Sequence, residues 1–198
     1  MPLPKLPIPT PEQIAGVILA GGQGTRMGGA DKGWVEHEGI PLVGLVLVRL
    51  LPQVGQVIIS ANRSLERYRS LGYPVVEDDH ERFGRFSGPL AGMHAGLRAS
   101  PLPWVAFVPC DAPAFPLDLV ARLAQATGGN RPALACCQGR RQPVFCLMPR
   151  ALANALALCL TRKEQRPTEF LRLMDAVEVP FPEPQAFANI NARPAQGA

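Results

Sequence analysis

The chain reads as an α/β fold of three layers, with helices on both faces of a mostly parallel sheet. Short apolar runs alternate with helix-length segments along most of its length, and the first of those runs halts at a glycine-rich loop. Near the C-terminal third, two apolar runs are joined by a link short enough to turn one strand antiparallel.

Residues 14–20, IAGVILA, form a continuous apolar run that stops at Gly21-Gly22, as expected of a strand buried on both faces. Residues 41–54 are long enough for a helix despite their β-branched members, and residues 57–61, VIISA, return to strand character. The pattern then predicts a polar helix over 64–71, a strand over 74–77, a helix over 89–99 and a strand over 104–109. A helix over 116–126 opens on Pro116 with Asp118 in its first turn. Strands over 133–137 and 143–148 follow, separated by GRRQ, and helices over 151–160 and 168–174 lead to a last strand over 176–179.

Length and composition support a single domain over residues 14–198, since 198 residues with 47% hydrophobic content can bury one sizeable core. Residues 1–13, MPLPKLPIPTPEQ, carry five prolines and no uninterrupted apolar stretch, which predicts a flexible arm and no secretory signal. No apolar run reaches the roughly 20 residues that a bilayer span requires, so no membrane association is expected. A net charge of +4 spread over this length is too small for a dedicated nucleic-acid binder and suits a small anionic ligand. The five cysteines form no CxxC pair and read as buried, reduced thiols of a cytoplasmic protein.

In an open α/β sheet the ligand crevice lies beyond the carboxyl ends of the strands, which directs attention to three loops. The first, residues 21–33 (GGQGTRMGGADKG), packs six glycines around Arg26, Asp31 and Lys32. Glycine lets successive N–H groups turn towards an anion, and the two cations add charge where a leaving pyrophosphate would accumulate it. Lys32 stands out because only three of the twenty basic residues are lysines, and a compact ammonium fits among crowded phosphate oxygens. Lys32 is followed by Gly33, so the loop is no Walker A motif, and Met27 occupies the third-glycine position of a dinucleotide fingerprint. A merely flexible loop would not call for both cations amid glycines.

The second loop, residues 108–115 (VPCDAPAF), ends an apolar strand on Asp111. A lone carboxylate there suits magnesium, which takes few protein oxygens and fills its other positions with water and substrate phosphates; the alternative is a turn or cap. The third loop begins at Glu77-Asp78-Asp79-His80. Its carboxylates suit hydrogen bonds from a base or ribose, and equally a solvated acidic turn. Just beyond it, Ser87-Gly88-Pro89 opens a helix whose N-terminus could hold a second phosphate, while His94 and Gly96 are assigned to packing.

LAGGQGTRMGGADKG at 19–33, SANR at 60–63, VVED at 75–78, GPLAGM at 88–93, VPCDAPAFPLDL at 108–119, QPVFCLM at 142–148 and FANIN at 187–191 span nearly the whole chain. Together they resemble the molybdenum cofactor guanylyltransferase (MobA) family. The glycine, Arg-Met-Gly and Lys pattern alone is shared by nucleotidyltransferases acting on sugars, polyols and pterins. Gly28-Gly29 before Asp31-Lys32, with Asn189-Ile190-Asn191, resembles the guanylyl branch more than the cytidylyl one.

The resemblance implies a Rossmann-like three-layer α/β/α nucleotidyltransferase fold and transfer of GMP from GTP to the terminal phosphate of molybdopterin, with Mg2+ as cofactor. It implies that Leu19, Ala20, Gly21 and Lys32 contact GTP together with Asp78, that Asp111 binds both GTP and the metal, and that Arg26 acts in transfer with Lys32 and Asp111. Gly22 and Asn62 join the nucleotide set, Asn62 because Ser60 stands where the family often carries asparagine. Gly88, Pro89 and Leu90, with Asn189 and Asn191, are assigned to the acceptor. After Asn191 this chain runs Ala192-Arg193-Pro194 where the family usually continues Thr-Pro-Glu. The implied partners are GTP, molybdopterin, molybdopterin-synthesis proteins and recipient molybdoenzymes. The alternatives are a cytidylyltransferase for the same pterin, another sugar- or polyol-phosphate nucleotidyltransferase, and a non-catalytic carrier of nucleotide or pterin.

Overall fold

A computed structural model describes residues 7–22, 31–84, 87–163 and 166–190. The elements in chain order are β1 (Ile14–Leu19), β2 (Glu36–His37), β3 (Ile40–Pro41), α1 (Leu42–Leu50), β4 (Gln56–Ser60), α2 (Leu65–Arg69), β5 (Val75–Val76) and α3 (His80–Phe83). They continue with α4 (Pro89–Ala99), β6 (Trp104–Pro109), α5 (Leu119–Ala126), β7 (Ala133–Cys137), β8 (Arg140–Pro149), α6 (Ala153–Thr161), α7 (Pro167–Leu173) and β9 (Val177–Phe181).

Seven strands form one sheet in the order β5-β4-β1-β6-β8-β7-β9. All run parallel except β8, which is antiparallel to both β6 and β7. The mostly parallel sheet with one reversed strand is therefore the expected one. The chain leaves β1 towards β4 on one side and later returns to pair β6 on the other, which makes the carboxyl end of β1 the switch point of the sheet.

Side chains alternate between two cores, as strand geometry dictates. Ile14 and Ile18 of β1, Val57 and Ile59 of β4 and Ala106 and Val108 of β6 face α1 and α5. Val17, Ile58, Val105 and Phe107 face α4, α6 and α7 on the opposite side. The helices on both faces complete the three layers.

Where structure and expectation differ, local chemistry explains the difference. The flexible arm expected over 1–13 does not extend through its described end. Pro11–Gln13 form a 3-10 turn with Pro11 at its start, and the Thr10 and Gln13 backbones and the Gln13 side chain bond reciprocally. The helix expected from residue 116 begins at Leu119, because Pro116 to Asp118 form a separate turn and Asp118 is the N-cap. The GRRQ link is mostly strand: Gln138 and Gly139 take φ of 48° and 73°, the geometry of a two-residue hairpin turn, which lets Arg140–Gln142 pair with Ala135–Cys137. The small β2–β3 hairpin was not anticipated; it turns at Glu38 and Gly39, with φ of 53° and 77°.

Candidate active site

The switch-point edge gathers most of the described residues singled out above. At the end of β1, Ala20 N–H donates to the Ser60 carbonyl at 2.7 Å and Cys110 N–H donates to the Leu19 carbonyl at 3.1 Å. Leu19 and Ala20 are thus tied to both neighbouring strands. Gly21 and Gly22 then leave the sheet, and the Arg63 guanidinium donates to the Gly22 carbonyl at 2.9 Å. Arg26 lies outside the described residues.

Chain re-enters at Asp31, which caps a 3-10 turn, Lys32–Trp34. The Asp31 carboxylate accepts from Gly33 N–H at 3.3 Å and from the Tyr68 hydroxyl at 2.7 Å. Tyr68, on α2, is completely buried, and burial above all pushes its hydroxyl pKa up, so it stays a neutral donor. Gly33 is required by space: a Cβ there would sit 2.3 Å from the Tyr68 hydroxyl oxygen. The Trp34 ring lies 5.1 Å from the Tyr68 ring, and the Arg67 guanidinium stacks over it at 4.0 Å. These contacts fix the turn that presents Lys32.

Lys32 Nζ donates to Asp111 Oδ2 at 2.7 Å, with the lysine side chain 33% exposed and the aspartate side chain 8% exposed. The pair joins residues 79 positions apart and stands just past the end of β6. Beside it, burial raises the Cys110 thiol pKa, with Asp111 and Asp31 adding to the shift, so this cysteine is inert. Ile190 N–H donates to the Asp111 carbonyl at 2.7 Å and draws the C-terminal FANI segment, with Asn189, against the same point. Asn191 lies outside the described residues.

A second cluster occupies the β4–β5 side. Asn62 Nδ2 donates to Asp78 Oδ2 at 2.8 Å, while Asp78 N–H donates to Asn62 Oδ1 at 2.9 Å. Burial raises the Asp78 carboxyl above the usual range, opposed by the Asn62 hydrogen bond and by His80. Asp78 Oδ1 and Ser60 Oγ are buried without a protein partner. Both lie against Gly92 of α4, where an added Cβ would come 2.8 Å from Ser60 Oγ.

The residues assigned to the acceptor fall in two places. Asn189 adjoins the Lys32–Asp111 pair, whereas Gly88, Pro89 and Leu90 open α4, the helix whose Gly92 borders Ser60 and Asp78. The Leu90 side chain is fully buried in the core beneath α4, so only its backbone can face a ligand. Tyr68 and Gly33 were missed as supports of the site. The signal for Tyr68 was an aromatic residue within a short, polar helix.

A glycine-rich loop at the switch point, with a lysine and an aspartate converging at the neighbouring strand end, defines an α/β protein built to bind a phosphorylated nucleotide. The model of the MobA-like NTP transferase domain matches residues 16–178, and the chain belongs to that family. The molybdenum cofactor guanylyltransferase of Cupriavidus metallidurans is 46% identical over 187 residues, covering 91% of each chain. That of Serratia proteamaculans is 46% identical over 183 residues, covering 92% of this chain and 91% of its own. Among solved structures, molybdopterin-guanine dinucleotide biosynthesis protein A of Archaeoglobus fulgidus superposes with a TM-score of 0.67 at 20% identity, covering 84% of this chain and 83% of its own. It supports the fold.

Proposed function

We propose that this chain transfers the GMP moiety of GTP to the terminal phosphate of molybdopterin, releasing pyrophosphate. The observation that carries the reading is the Lys32–Asp111 pair, held at the carboxyl end of β6 where the glycine-rich loop rejoins the fold. An oxygen of the acceptor phosphate attacks the α-phosphorus of GTP, and the bond from that phosphorus to the β-bridging oxygen breaks. The acceptor is a phosphate monoester, already largely dianionic at neutral pH, so no side chain has to remove a proton from it. Positioning and charge neutralisation carry the rate.

In this reading the backbone of Leu19, Ala20, Gly21 and Gly22 lines the nucleotide, and the Lys32 ammonium, with Arg26, neutralises charge on the departing pyrophosphate. Asp78, positioned by Asn62, keeps one buried oxygen unpartnered and suited to accept from the base or ribose. Gly88, Pro89 and Leu90, with Asn189 and Asn191, serve the acceptor. Magnesium fits the donor set: Asp111 is a single hard oxygen ligand, and among the described residues no group of three or more His, Cys, Asp or Glu is placed to form a cage. Bound there, magnesium supplies charge neutralisation and orientation of the triphosphate.

Cys110, Cys137 and Cys146 are buried thiols, which supports a cytoplasmic location. Among the described residues no helix is long and apolar enough to cross a membrane. Molybdopterin-synthesis proteins and recipient molybdoenzymes are the partners on either side of the reaction. The test is pyrophosphate release by the purified protein with magnesium and molybdopterin, comparing GTP, CTP and ATP. Release with GTP alone is expected. Preference for CTP would retain the chemistry and change the product, and no release with any nucleotide would refute the proposal.

A further inference from the structure

We infer that Arg140, at the tip of the β7–β8 hairpin, is an anion contact for the incoming acceptor phosphate. The inference rests on the transferase reading above and assigns that reaction a binding residue in the other half of the crevice. β8 runs antiparallel to β6, so it begins at the edge where β6 ends. β8 pairs with β6 as far as Phe107 opposite Cys146 and is then irregular, with Cys146 facing Leu134 of β7 and Gln142 facing the next residue, Ala135. Counted along β7, Arg140 stands opposite Cys137, three residues or roughly 10 Å beyond the level of Phe107, one strand to the side of β6 at the end where the chain runs on to Asp111.

The face is also the right one. Arg140 pairs across the hairpin with Cys137, and Cys137 belongs to the core beneath α1 and α5, the face that also carries Tyr68 and the Lys32–Trp34 turn. Arg141 falls on the opposite face and is held by Glu178 at 2.7 Å. The neighbouring arginines of this part of the sheet are engaged as well. Arg131 pairs with Asp175 at 2.8 Å, and Arg122 bonds the Pro180 carbonyl and stacks on Phe181 at 4.0 Å. Arg140 is exposed and has no ion pair or side-chain hydrogen bond among the described residues.

Its backbone is well fixed for such a role. The two-residue turn at Gln138 and Gly139 allows no slack, Cys137 is buried, and β9 pairs with β7 on the far side through Phe181 opposite Cys137. Phe187 packs edge-on against both Phe145 and Phe181, at ring distances of 5.0 and 5.4 Å, and leads the chain back to Asp111 through Ile190. The hairpin tip and the C-terminal segment thus border the side of Asp111 away from β4 and β5. A planar guanidinium matches a phosphate dianion bidentately, and here it would hold the nucleophile on the side of the crevice away from the Asn62–Asp78 cluster.

The experiment compares wild type, Arg140→Ala and Arg140→Lys by steady-state pyrophosphate release with molybdopterin varied at saturating GTP, together with calorimetric binding of GTP. The expected result is a rise of about tenfold or more in the molybdopterin KM for Arg140→Ala, partial recovery in Arg140→Lys, and GTP affinity within about twofold of wild type. An unchanged molybdopterin KM in a wild type and variant that both turn over overturns this assignment alone. Equal losses in GTP and molybdopterin binding overturn it as well, since they mark a structural role. No GTP-dependent release by wild type overturns the transferase reading and this inference together.

Discussion

Replacing Gly33 by alanine perturbs the support of Lys32 at a point where the structure sets the magnitude. The new Cβ would lie 2.3 Å from the Tyr68 hydroxyl oxygen, 3.2 Å from Cζ and 3.3 Å from Cε1. Tyr68 is fully buried and cannot swing into solvent, so ring or turn must shift by about 1 Å, an overpacking cost of about 1–3 kcal/mol. Tyr68→Phe alone removes the 2.7 Å bond to the Asp31 carboxylate, a loss of about 1.5–3 kcal/mol for a hydrogen bond to a charged group. In the double variant the clash is largely relieved, because the atom at 2.3 Å is gone. Urea denaturation of the four proteins should therefore show a double variant close to Tyr68→Phe, with a coupling energy of about 1 kcal/mol or more. Gly33→Ala should also lower kcat by on the order of tenfold to hundredfold, since Lys32 adjoins the displaced residue. Strictly additive stabilities would refute the close approach of Gly33 and Tyr68.

Asn62→Ala should move the acid limb of the kcat/KM profile for GTP to higher pH. Burial already raises the Asp78 carboxyl, Asn62 opposes that rise, and the charged form needed for binding is lost as pH falls through the folded value. A limb that stays in place or moves to lower pH would contradict the role given to the Asn62–Asp78 pair. His94, buried on α4 with the Phe83 ring edge-on at 5.0 Å, is held below its ordinary value of 6.5 by burial first, then by Arg82 and Arg98. The unfolded chain then takes up the proton first, so thermal stability should be level above that value and decline as pH falls below it. His94→Gln should flatten this decline, as read from melting temperatures across pH.

Elements with strong local signals were legible in the sequence. The bounds of α4 and β6 coincide with those expected, the first because Gly88 and Pro89 cap and open the helix, the second because a continuous apolar run ends at Pro109. The β2–β3 hairpin was not legible, since strands of two residues show no period and only Glu38-Gly39 marks the turn. In the site, Lys32 and Asp111 could each be chosen from loop position and residue type. That they bond each other across 79 positions, and that Tyr68 underpins the turn that presents Lys32, are products of tertiary packing with no local trace. The extension of β8 to Arg140 was hidden because three polar residues before Pro143 read as a link until the Gln138-Gly139 turn placed them in the sheet.

The most direct test of the Lys32–Asp111 centre is transfer of label from α-labelled GTP to molybdopterin by wild type and by Asp111→Asn, over a range of magnesium concentrations. Wild type should form the labelled dinucleotide in a metal-dependent manner. Asp111→Asn, matched in shape and folded by its melting transition, should be slower by on the order of a hundredfold or more. Product formed by Asp111→Asn at the wild-type rate and with the wild-type metal dependence would contradict the assignment.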